Sequence, residues 1–278
     1  MTTFLKISII TPSFNQAQFI EDTILSVLNQ NYPNLEYIII DGGSKDHSID
    51  IIKKYEDKLH YWISEKDNGQ ADAVNKGLKI ATGEIIGWLN SDDTYLPNAL
   101  LKIAETFNKY PNYEVIFGNQ VLTDPSGKYL RVKHELPYNF HRLIYHMFQS
   151  QPATFFKRNI IQKIGLLNTA LFYTLDYEYF LRIGKKCRVK HIASLLATYR
   201  LHSSSKSSTY LSEKSLNENK ILFEKYVPKY SSINILNIIL TKFFKLFYSS
   251  IRFLLIIRDN PLHYLEYFKY VNKQHPKV

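Results

Sequence analysis

The chain has 278 residues, of which 45% are hydrophobic, 14% aromatic and 22% charged. This balance excludes a disordered chain and is sufficient for a large buried core. Its single cysteine, Cys187, excludes a disulfide scaffold, and the absence of a signal-peptide layout at the first residues predicts a protein that is not secreted. The net charge of +10 indicates an anionic partner, such as a membrane surface or a nucleic acid.

Over the first 120 residues, short β-branched runs alternate with helical patterns. The pattern predicts strands at 6–11, 35–40, 59–64 and 84–89, and helices at 19–28, 48–55, 71–81 and after Pro97. Near-continuous apolar strands joined by helices are typical of a parallel sheet covered on both faces. The sequence therefore predicts an α/β fold with a mostly parallel sheet flanked by helices.

The remainder of the chain has a weaker periodicity. It predicts a hairpin of 121–123 with 129–133, a helix at 176–183 and a strand at 196–202. The Ser-rich run 203–208 is the best candidate for a linker. We therefore expect a domain of residues 1–205, followed by a basic helical tail of residues 206–278.

Polar residues gather where the predicted strands end. The first strand delivers Thr11, the second ends at Asp41, and the fourth is followed by Asp92 and Asp93. Ligands of open parallel sheets bind outside these carboxyl ends, so the acidic residues can serve a nucleotide, a metal, or both. A turn or helix cap is the alternative for Asp41, but the adjacent pair Asp92–Asp93 repels unless a cation or donor compensates.

Six motifs in this order give the first 205 residues a resemblance to family 2 glycosyltransferases with the GT-A fold. They are residues 9–15 (IITPSFN), 26–30 (SVLNQ), 39–44 (IIDGGS), 75–77 (NKG), 81–86 (ATGEII) and 88–93 (WLNSDD). Each motif is weak by itself, and the ordered set is specific. The resemblance implies an enzyme that binds a nucleotide-sugar across the ends of the first, second and fourth strands.

The resemblance also implies roles for individual residues around the donor. Thr11, Pro12 and Asp41 match the positions that hold the base and ribose, and Asp92 and Asp93 match an acidic motif whose carboxylates face the ribose and a divalent cation. We assign Asp92 to the donor and Asp93 to the cation, Mn²⁺ or Mg²⁺, because such hard cations prefer oxygen ligands. His202 matches a histidine that completes the metal sphere or touches the diphosphate.

Three positions on the donor side leave alternatives open. Asp72 is expected to face the same pocket, or else to stabilise the first turn of its helix. Asn90 stands where many family members have an Asp, and Val74 stands where many have an Arg. The missing Arg removes one contact to the diphosphate, for which Lys76 or Arg200 are the candidate replacements.

The general base is expected in residues 175–182. The resemblance assigns it to Asp176, which would take the proton of the acceptor hydroxyl in an inverting transfer. Glu178 is the rival in the sequence, two positions along and on a different helix face. Residues 138–148 and 151–156 are expected either to shape the acceptor pocket or to pack in the core.

Residues 233–257 form the most apolar stretch, which Lys242, Lys245 and Arg252 interrupt. A spanning helix is disfavoured by these charges, whereas a narrow basic stripe beside a broad apolar face suits a helix lying on an anionic membrane. Packing against the catalytic domain or a second subunit is the alternative. We expect an enzyme at the cytoplasmic face of a membrane.

The expected reaction is transfer of a sugar from a UDP-sugar to a glycan or lipid-linked acceptor in surface-polysaccharide assembly. A sugar nucleotidyltransferase is the alternative enzyme, but it needs a first loop rich in Gly and Arg or Lys, and residues 12–16 (PSFNQ) lack these. A nucleic-acid-binding protein is the non-enzymatic alternative. It is disfavoured because the excess positive charge lies in the apolar tail, with twelve Lys and Arg against five Asp and Glu from residue 206 onwards.

Overall fold

The computed structural model describes residues 4–145, 147–209 and 212–226, together with Ile239, Lys242, Phe243, Leu246 and Phe247. The strands are β1 (Ile7–Ser13), β2 (Leu35–Asp41), β3 (Tyr61–Ser64), β4 (Ile85–Trp88), β5 (Thr94–Tyr95), β6 (Val115–Thr123), β7 (Tyr129–Lys133), β8 (Thr154–Lys157) and β9 (Val189–Arg200). The α-helices are α1 (Ile20–Leu28), α2 (Ser48–Lys53), α3 (Gln70–Ile80), α4 (Ala99–Lys109), α5 (Phe140–Tyr145), α6 (Ile160–Ile164), α7 (Leu175–Lys186) and α8 (Glu213–Tyr226).

A single sheet in the order β3-β2-β1-β4-β8-β6-β9-β5, with β7 paired to β6, runs through the described residues. Its first four strands are parallel, and β1 lies between β2 and β4. The α/β class is confirmed, and the parallel part is the part that carries the motifs at 9–15, 39–44 and 88–93.

The second half of the sheet is mixed rather than parallel. Strand β8 enters between β4 and β6 and is antiparallel to both, while β6 pairs with β9 in parallel. The apolar segment 151–156 contributes to this strand, and Phe155 and Phe156 are buried in the core. These two rings therefore pack inside the domain and do not shape an acceptor pocket.

Helices cover both faces of the sheet, as the apolar strands predict. Alternate strand residues separate into two apolar layers: Ile10, Ile38 and Ile40 face α3, α6 and α7, and Ile9, Tyr37 and Ile39 face α1 and α4. Strands with both faces buried need helices on both sides, because either uncovered face would expose a row of Ile side chains.

The Ser-rich run expected as a linker is ordered and packed. It contains a 3₁₀-helix, Lys206–Thr209, and Ser205 is buried with its hydroxyl donating to the carbonyl of His202 at 2.8 Å. Helix α8 follows, with Leu222 and Tyr226 buried against the domain. Serine hydroxyls that bond to nearby backbone stabilise turns, which is why this run does not behave as an open linker. The division at residue 205 stays a prediction.

Most of the apolar segment 233–257 lies outside the described residues. The five tail residues named above are helical, and the apolar side chains among them are about half exposed or more. Within the part of the chain that the structure describes, no helix is long and apolar enough to span a bilayer.

Candidate functional site

The carboxyl ends of β1 and β2 meet at one edge of the sheet. Their register pairs Ser13 with Asp41, and the two residues before Ser13 in β1, Thr11 and Pro12, are buried. Phe14, which follows Ser13, is 56% exposed. An exposed aromatic ring at a strand end offers a flat apolar face to a planar ligand such as a nucleotide base.

The carboxylate of Asp41 organises the turn after β2. It has no exposed surface and accepts hydrogen bonds from the amides of Gly43 and Ser44 at 3.1 and 2.9 Å, and from the hydroxyls of Ser44 and Ser64 at 2.5 and 2.6 Å. The turn alternative considered for Asp41 is therefore present in the structure. Its contact with a donor stays a prediction.

Asp92 and His202 come together although they are 110 residues apart in sequence: Oδ2 of Asp92 lies 3.0 Å from Nε2 of His202. The short antiparallel pairing of β5 with β9, which sets Thr94 opposite Thr198, produces this contact. Because the two chains run in opposite directions, residues just before β5 lie beside residues just after Thr198.

The imidazole of His202 is held on two other sides. Its Nδ1 lies 2.8 Å from the Ser204 hydroxyl, and its ring packs on that of Phe19 with the centroids 4.5 Å apart. The His202 side chain is 4% exposed and that of Asp92 is 21% exposed. A histidine fixed through Nδ1 presents Nε2 in a set direction, as metal-binding histidines do.

Asp93, the expected metal ligand, is buried and bonded to the backbone of β9. It is 1% exposed, and its Oδ1 accepts the backbone amide of Arg200 at 3.0 Å. Burial and the neighbouring Asp92 carboxylate raise the pKa of Asp93 well above its usual range. The carboxylate that contacts His202 is therefore that of Asp92, and the assignment of the metal to Asp93 stays a prediction.

The Asp92–His202 pair fits a divalent cation that takes further ligands from its substrate. A carboxylate oxygen and an imidazole nitrogen are both suitable donors, and they already face each other. Within the described residues there is no group of three or more His, Cys, Asp or Glu side chains placed to hold a metal. A pair of side chains is compatible with Mg²⁺, which is usually bound by one or two side chains plus phosphates and water.

A cavity of about 210 Å³ contains Asp176. Asp92 and His202 are not among its lining residues, but the Asp92 carboxylate is near enough to favour the charged form of Lys206, which is one of them. The cavity is lined by Gln70, Trp88, Asn90, Met147, Gln151, Tyr173, Thr174, Leu175, Asp176, Tyr177, Tyr199 and Lys206. Asp176 lies in the first turn of α7, and burial raises its pKa above the usual range of an aspartate. A raised pKa brings a carboxylate closer to that of an effective general base.

Glu178 does not share this position. It is buried, and both of its carboxylate oxygens accept hydrogen bonds from Arg182 Nε, at 3.0 and 2.9 Å. Tyr226 Oη lies 3.4 Å from Glu178 Oε1. Arg182 in turn donates to the carbonyl of Leu166. Glu178 therefore ties α7 to its neighbours, and of the two rival carboxylates only Asp176 lines the cavity.

Helix α8 fixes the loop that leads into Asp176. Glu218 accepts the backbone amides of Phe172, Tyr173 and Thr174 at 2.9 to 3.0 Å, and the Thr174 hydroxyl at 3.1 Å. Although burial opposes ionisation, these hydrogen bonds lower the pKa of Glu218. One carboxylate of the expected tail thus anchors the start of α7.

Asp72 faces its own helix start. Its Oδ2 accepts the backbone amide of Asn68 at 3.1 Å, which is the helix-stabilising alternative considered for it. Its predicted contact with the donor is untested. Phe14, Gln70, Lys206 and Glu218 were not predicted as site residues from the sequence. The position of Phe14 directly after a motif strand was a usable signal, and the other three had none.

A second cavity, of about 740 Å³, lies at the opposite ends of the strands and includes Leu5, Glu84 and Lys157. It contains none of the predicted site residues. Because ligands of parallel sheets bind at the carboxyl ends, the cavity that contains Asp176 is the candidate active site.

Solved structures with the same fold define the class. The chain matches TarS residues 1–349 of S. aureus, solved with UDP-GlcNAc, with a TM-score of 0.65 and 19% identity over 83% of this chain and 68% of that one. It also matches the mannosyltransferase PcManGT of Pyrobaculum calidifontis, solved with GDP-Man and Mn²⁺, with a TM-score of 0.58 and 17% identity over 74% and 60%. The fold is that of GT-A glycosyltransferases.

Sequence relationships identify the family. The family described as Glycosyl transferase family 2 matches residues 8–167, so the chain belongs to that family and is a glycosyltransferase. An uncharacterized glycosyltransferase of Rickettsia typhi is 31% identical over 236 residues, covering 80% of this chain and 72% of the relative. The TuaG glycosyltransferase of Bacillus subtilis, named for teichuronic acid biosynthesis, is 41% identical over 102 residues, covering 36% and 40%.

Proposed function

We propose that this glycosyltransferase moves a sugar from a UDP-sugar to a glycan or lipid-linked acceptor, with inversion and with the help of Mn²⁺ or Mg²⁺. Two observations support the proposal: the Asp92–His202 pair at 3.0 Å, and the cavity that contains Asp176 and also Lys206, on which the Asp92 carboxylate acts. In the proposed arrangement the pair holds the cation on the diphosphate, and the cavity takes the reacting sugar next to the base.

The chemistry follows from these positions. Asp176 accepts the proton of the acceptor hydroxyl while that oxygen attacks the anomeric carbon, and the bond from this carbon to the diphosphate oxygen breaks on the opposite face. When bound, a divalent cation would neutralise the negative charge that develops on the leaving diphosphate. Asp92 and His202 would hold it, and Phe14 offers a stacking surface for the base.

Relatives support the substrate classes. TarS was solved with UDP-GlcNAc, and PcManGT with GDP-Man and Mn²⁺, so proteins of this fold take nucleotide-sugars. TuaG is named for the synthesis of a cell-wall polymer, which favours surface-polysaccharide assembly for this chain. We infer a UDP-sugar because the match with TarS is the stronger of the two structural matches.

A thermal-stabilisation panel tests the proposal. A UDP-sugar at about 100 times its Kd should raise the melting temperature by several degrees in the presence of Mn²⁺, because a ligand that binds only the native state stabilises it. The shift should shrink when EDTA removes the cation. Free GlcNAc, which lacks the nucleotide, is the control, and a panel in which no nucleotide-sugar shifts the melting temperature would contradict the proposal.

We further propose peripheral binding to anionic membrane at the cytoplasmic face. Ile239, Phe243, Leu246 and Phe247 recur at helical spacing and are 47 to 70% exposed, as expected of a helix face that enters lipid. Changing Lys242, Lys245 and Arg252 to Glu should release the protein from anionic vesicles, because each cation near the surface contributes about 1 kcal/mol.

Co-sedimentation with vesicles checks this location. UDP-sugar affinity should be unchanged in the triple variant, which serves as its folding control. High salt should weaken the wild-type interaction less completely than the three substitutions, because salt screens charge without reducing apolar burial. Wild-type protein that stays in the supernatant with anionic vesicles at low salt would end the membrane proposal.

A further inference from the structure

Helix α3 does not supply the cation expected near the donor diphosphate. Val74, at the position where many family members have Arg, is 1% exposed and lies in the apolar core. Lys76, one candidate replacement, places its Nζ 2.7 Å from Oε1 of Glu65 in an ion pair outside the cavity. Neither residue therefore places a positive charge in the cavity that contains Asp176.

Arg200, the other candidate, is committed to the protein. Its Nε and Nη1 donate to the carbonyls of Asp92 and Pro125 at 3.0 and 2.9 Å, and its Nη2 pairs with Asp22 at 2.8 Å. The residue is 5% exposed. Arg200 thus stabilises the loop that contains Asp92, and contact with a ligand would require these hydrogen bonds to break.

Lys206 brings a positive charge into the cavity that contains Asp176. Its Nζ donates to Oε1 of Gln70 at 2.7 Å and to the carbonyl of Phe172 at 3.2 Å, and it lies 4.1 Å from the centre of the Phe172 ring. Among the described residues that line this cavity, Asp176 and Lys206 are the charged ones. Burial lowers the pKa of Lys206 to about 8, against the opposing effect of the nearby Asp176 and Glu218 carboxylates.

A directed chain of hydrogen bonds begins at Lys206 and crosses the cavity. Gln70 Nε2 donates to Asn90 Oδ1 at 2.6 Å, Asn90 Nδ2 donates to Gln151 Oε1 at 3.1 Å, and Gln151 Nε2 donates to the Trp88 carbonyl at 2.6 Å. An ammonium group can only donate and a carbonyl can only accept, so the two ends set the orientation of all three amides.

This chain explains why residue 90 is Asn. An Asp there would place a carboxylate oxygen against Gln151 Oε1, which is itself oriented by the Trp88 carbonyl. The amides line the cavity with neutral groups, so its charged lining residues within the described chain are Lys206 and Asp176. An ammonium group makes stronger hydrogen bonds to anionic oxygens than to neutral ones, which favours an anionic ligand at Lys206.

We propose that Lys206 binds an anionic oxygen of the bound donor, in the role that Val74 cannot fill. The inference rests on the proposed function and adds to it a residue that positions the donor. The anionic oxygen can belong to the diphosphate of any donor or to the carboxylate of a uronic acid sugar, and both would give the same charge-assisted hydrogen bond.

The test is the affinity of UDP, UDP-GlcNAc and UDP-glucuronic acid for wild type and for Lys206→Met, measured by calorimetry with Mn²⁺. Lys206→Met should weaken binding by about 10- to 100-fold, the contribution of a hydrogen bond to a charged group. An equal loss for all three ligands identifies the diphosphate, and a loss confined to UDP-glucuronic acid identifies the sugar carboxylate.

Two further variants separate binding from structure. Lys206→Arg keeps the charge and should retain most of the affinity. Lys214→Met removes an equal charge from the exposed side chain that lies 4.7 Å from the same Phe172 ring, outside the cavity, and should bind like wild type. If Lys206→Met fails to fold, Lys206→Gln, which can still donate to Gln70, is measured instead.

The outcomes distinguish this inference from the proposed function. Wild-type affinities in Lys206→Met, or equal losses in Lys206→Met and Lys214→Met, overturn the role of Lys206 alone. Wild-type protein that binds none of the three nucleotides overturns the proposed donor and, with it, this inference.

Discussion

Replacing Asp176 with Asn is expected to lower the rate of sugar transfer by about 100-fold or more while donor affinity stays nearly unchanged. Asn has the same size but cannot take a proton, and general-base catalysis contributes about this factor. Asp176 lines the cavity, and its Oδ1 accepts the Tyr177 amide at 2.8 Å, a hydrogen bond that an Asn oxygen can also accept. Single-turnover measurements check the transfer rate, and titration of the same protein with the donor checks the affinity.

The pH profile gives an independent test of Asp176. Because burial raises the pKa of Asp176, its basic form is lost at a higher pH than for an exposed aspartate as the pH falls. Transfer by wild type should therefore decline on the acid side from that raised pKa. The residual activity of Asp176→Asn should lack this decline, and an Asn variant with wild-type turnover would show that another group is the base.

Glu178→Gln is the comparison variant for Asp176→Asn, with the opposite expectation. Its buried carboxylate forms an ion pair with Arg182, so the Gln variant leaves a partly buried guanidinium without its charge partner. Losing a hydrogen-bonded charge partner of this kind costs about 1–3 kcal/mol of stability. Its melting temperature should fall, whereas that of Asp176→Asn should not, because removing a buried charge relieves a desolvation cost.

Asp92→Asn is expected to reduce donor affinity in Mn²⁺ at least tenfold, to the level of wild type in EDTA. The substitution removes the charged oxygen that lies 3.0 Å from His202 Nε2, and an amide is a poorer ligand for a hard cation than a carboxylate. Calorimetric titration with UDP-GlcNAc, with Mn²⁺ and with EDTA, measures the difference directly.

Asp93→Asn provides the matched control one residue further along. It keeps the oxygen that accepts the Arg200 amide and removes a buried charge, so both the melting temperature and the Mn²⁺-dependent affinity should be retained. Loss of the Mn²⁺ effect in Asp93→Asn but not in Asp92→Asn would return the metal to the residue that the sequence motif favours.

Much of the parallel half of the molecule could be predicted from sequence alone. The first four strands and the helices between them could be predicted because each of these elements is specified by the spacing of its own apolar residues. Asp41 and Asp92 were expected at one edge of the sheet because parallel strands end at the same edge. Strand β1 does lie between β2 and β4. The family resemblance rested on the same local residues.

The remaining assignments depended on contacts between distant parts of the chain. Whether Asp92 or Asp93 faces His202 is decided by the register of β5 against β9, across about a hundred residues of intervening chain. Asp176 and Glu178 are distinguished by what packs on each face of α7, including Tyr226 of α8. No local pattern contains that information.

Lys206 is the clearest case of what only the tertiary structure decided. In sequence it stands in a Ser-rich run, where composition predicts a linker. In the fold, hydrogen bonds from Ser205 to His202 and from Lys206 to Gln70 hold this run against the cavity. The sequence by itself determined the parallel half of the sheet, the edge of that sheet at which a ligand is expected, and the family. The partners of each charged side chain were decided by long-range packing, because electrostatic contacts depend on distance in space and not on separation along the chain.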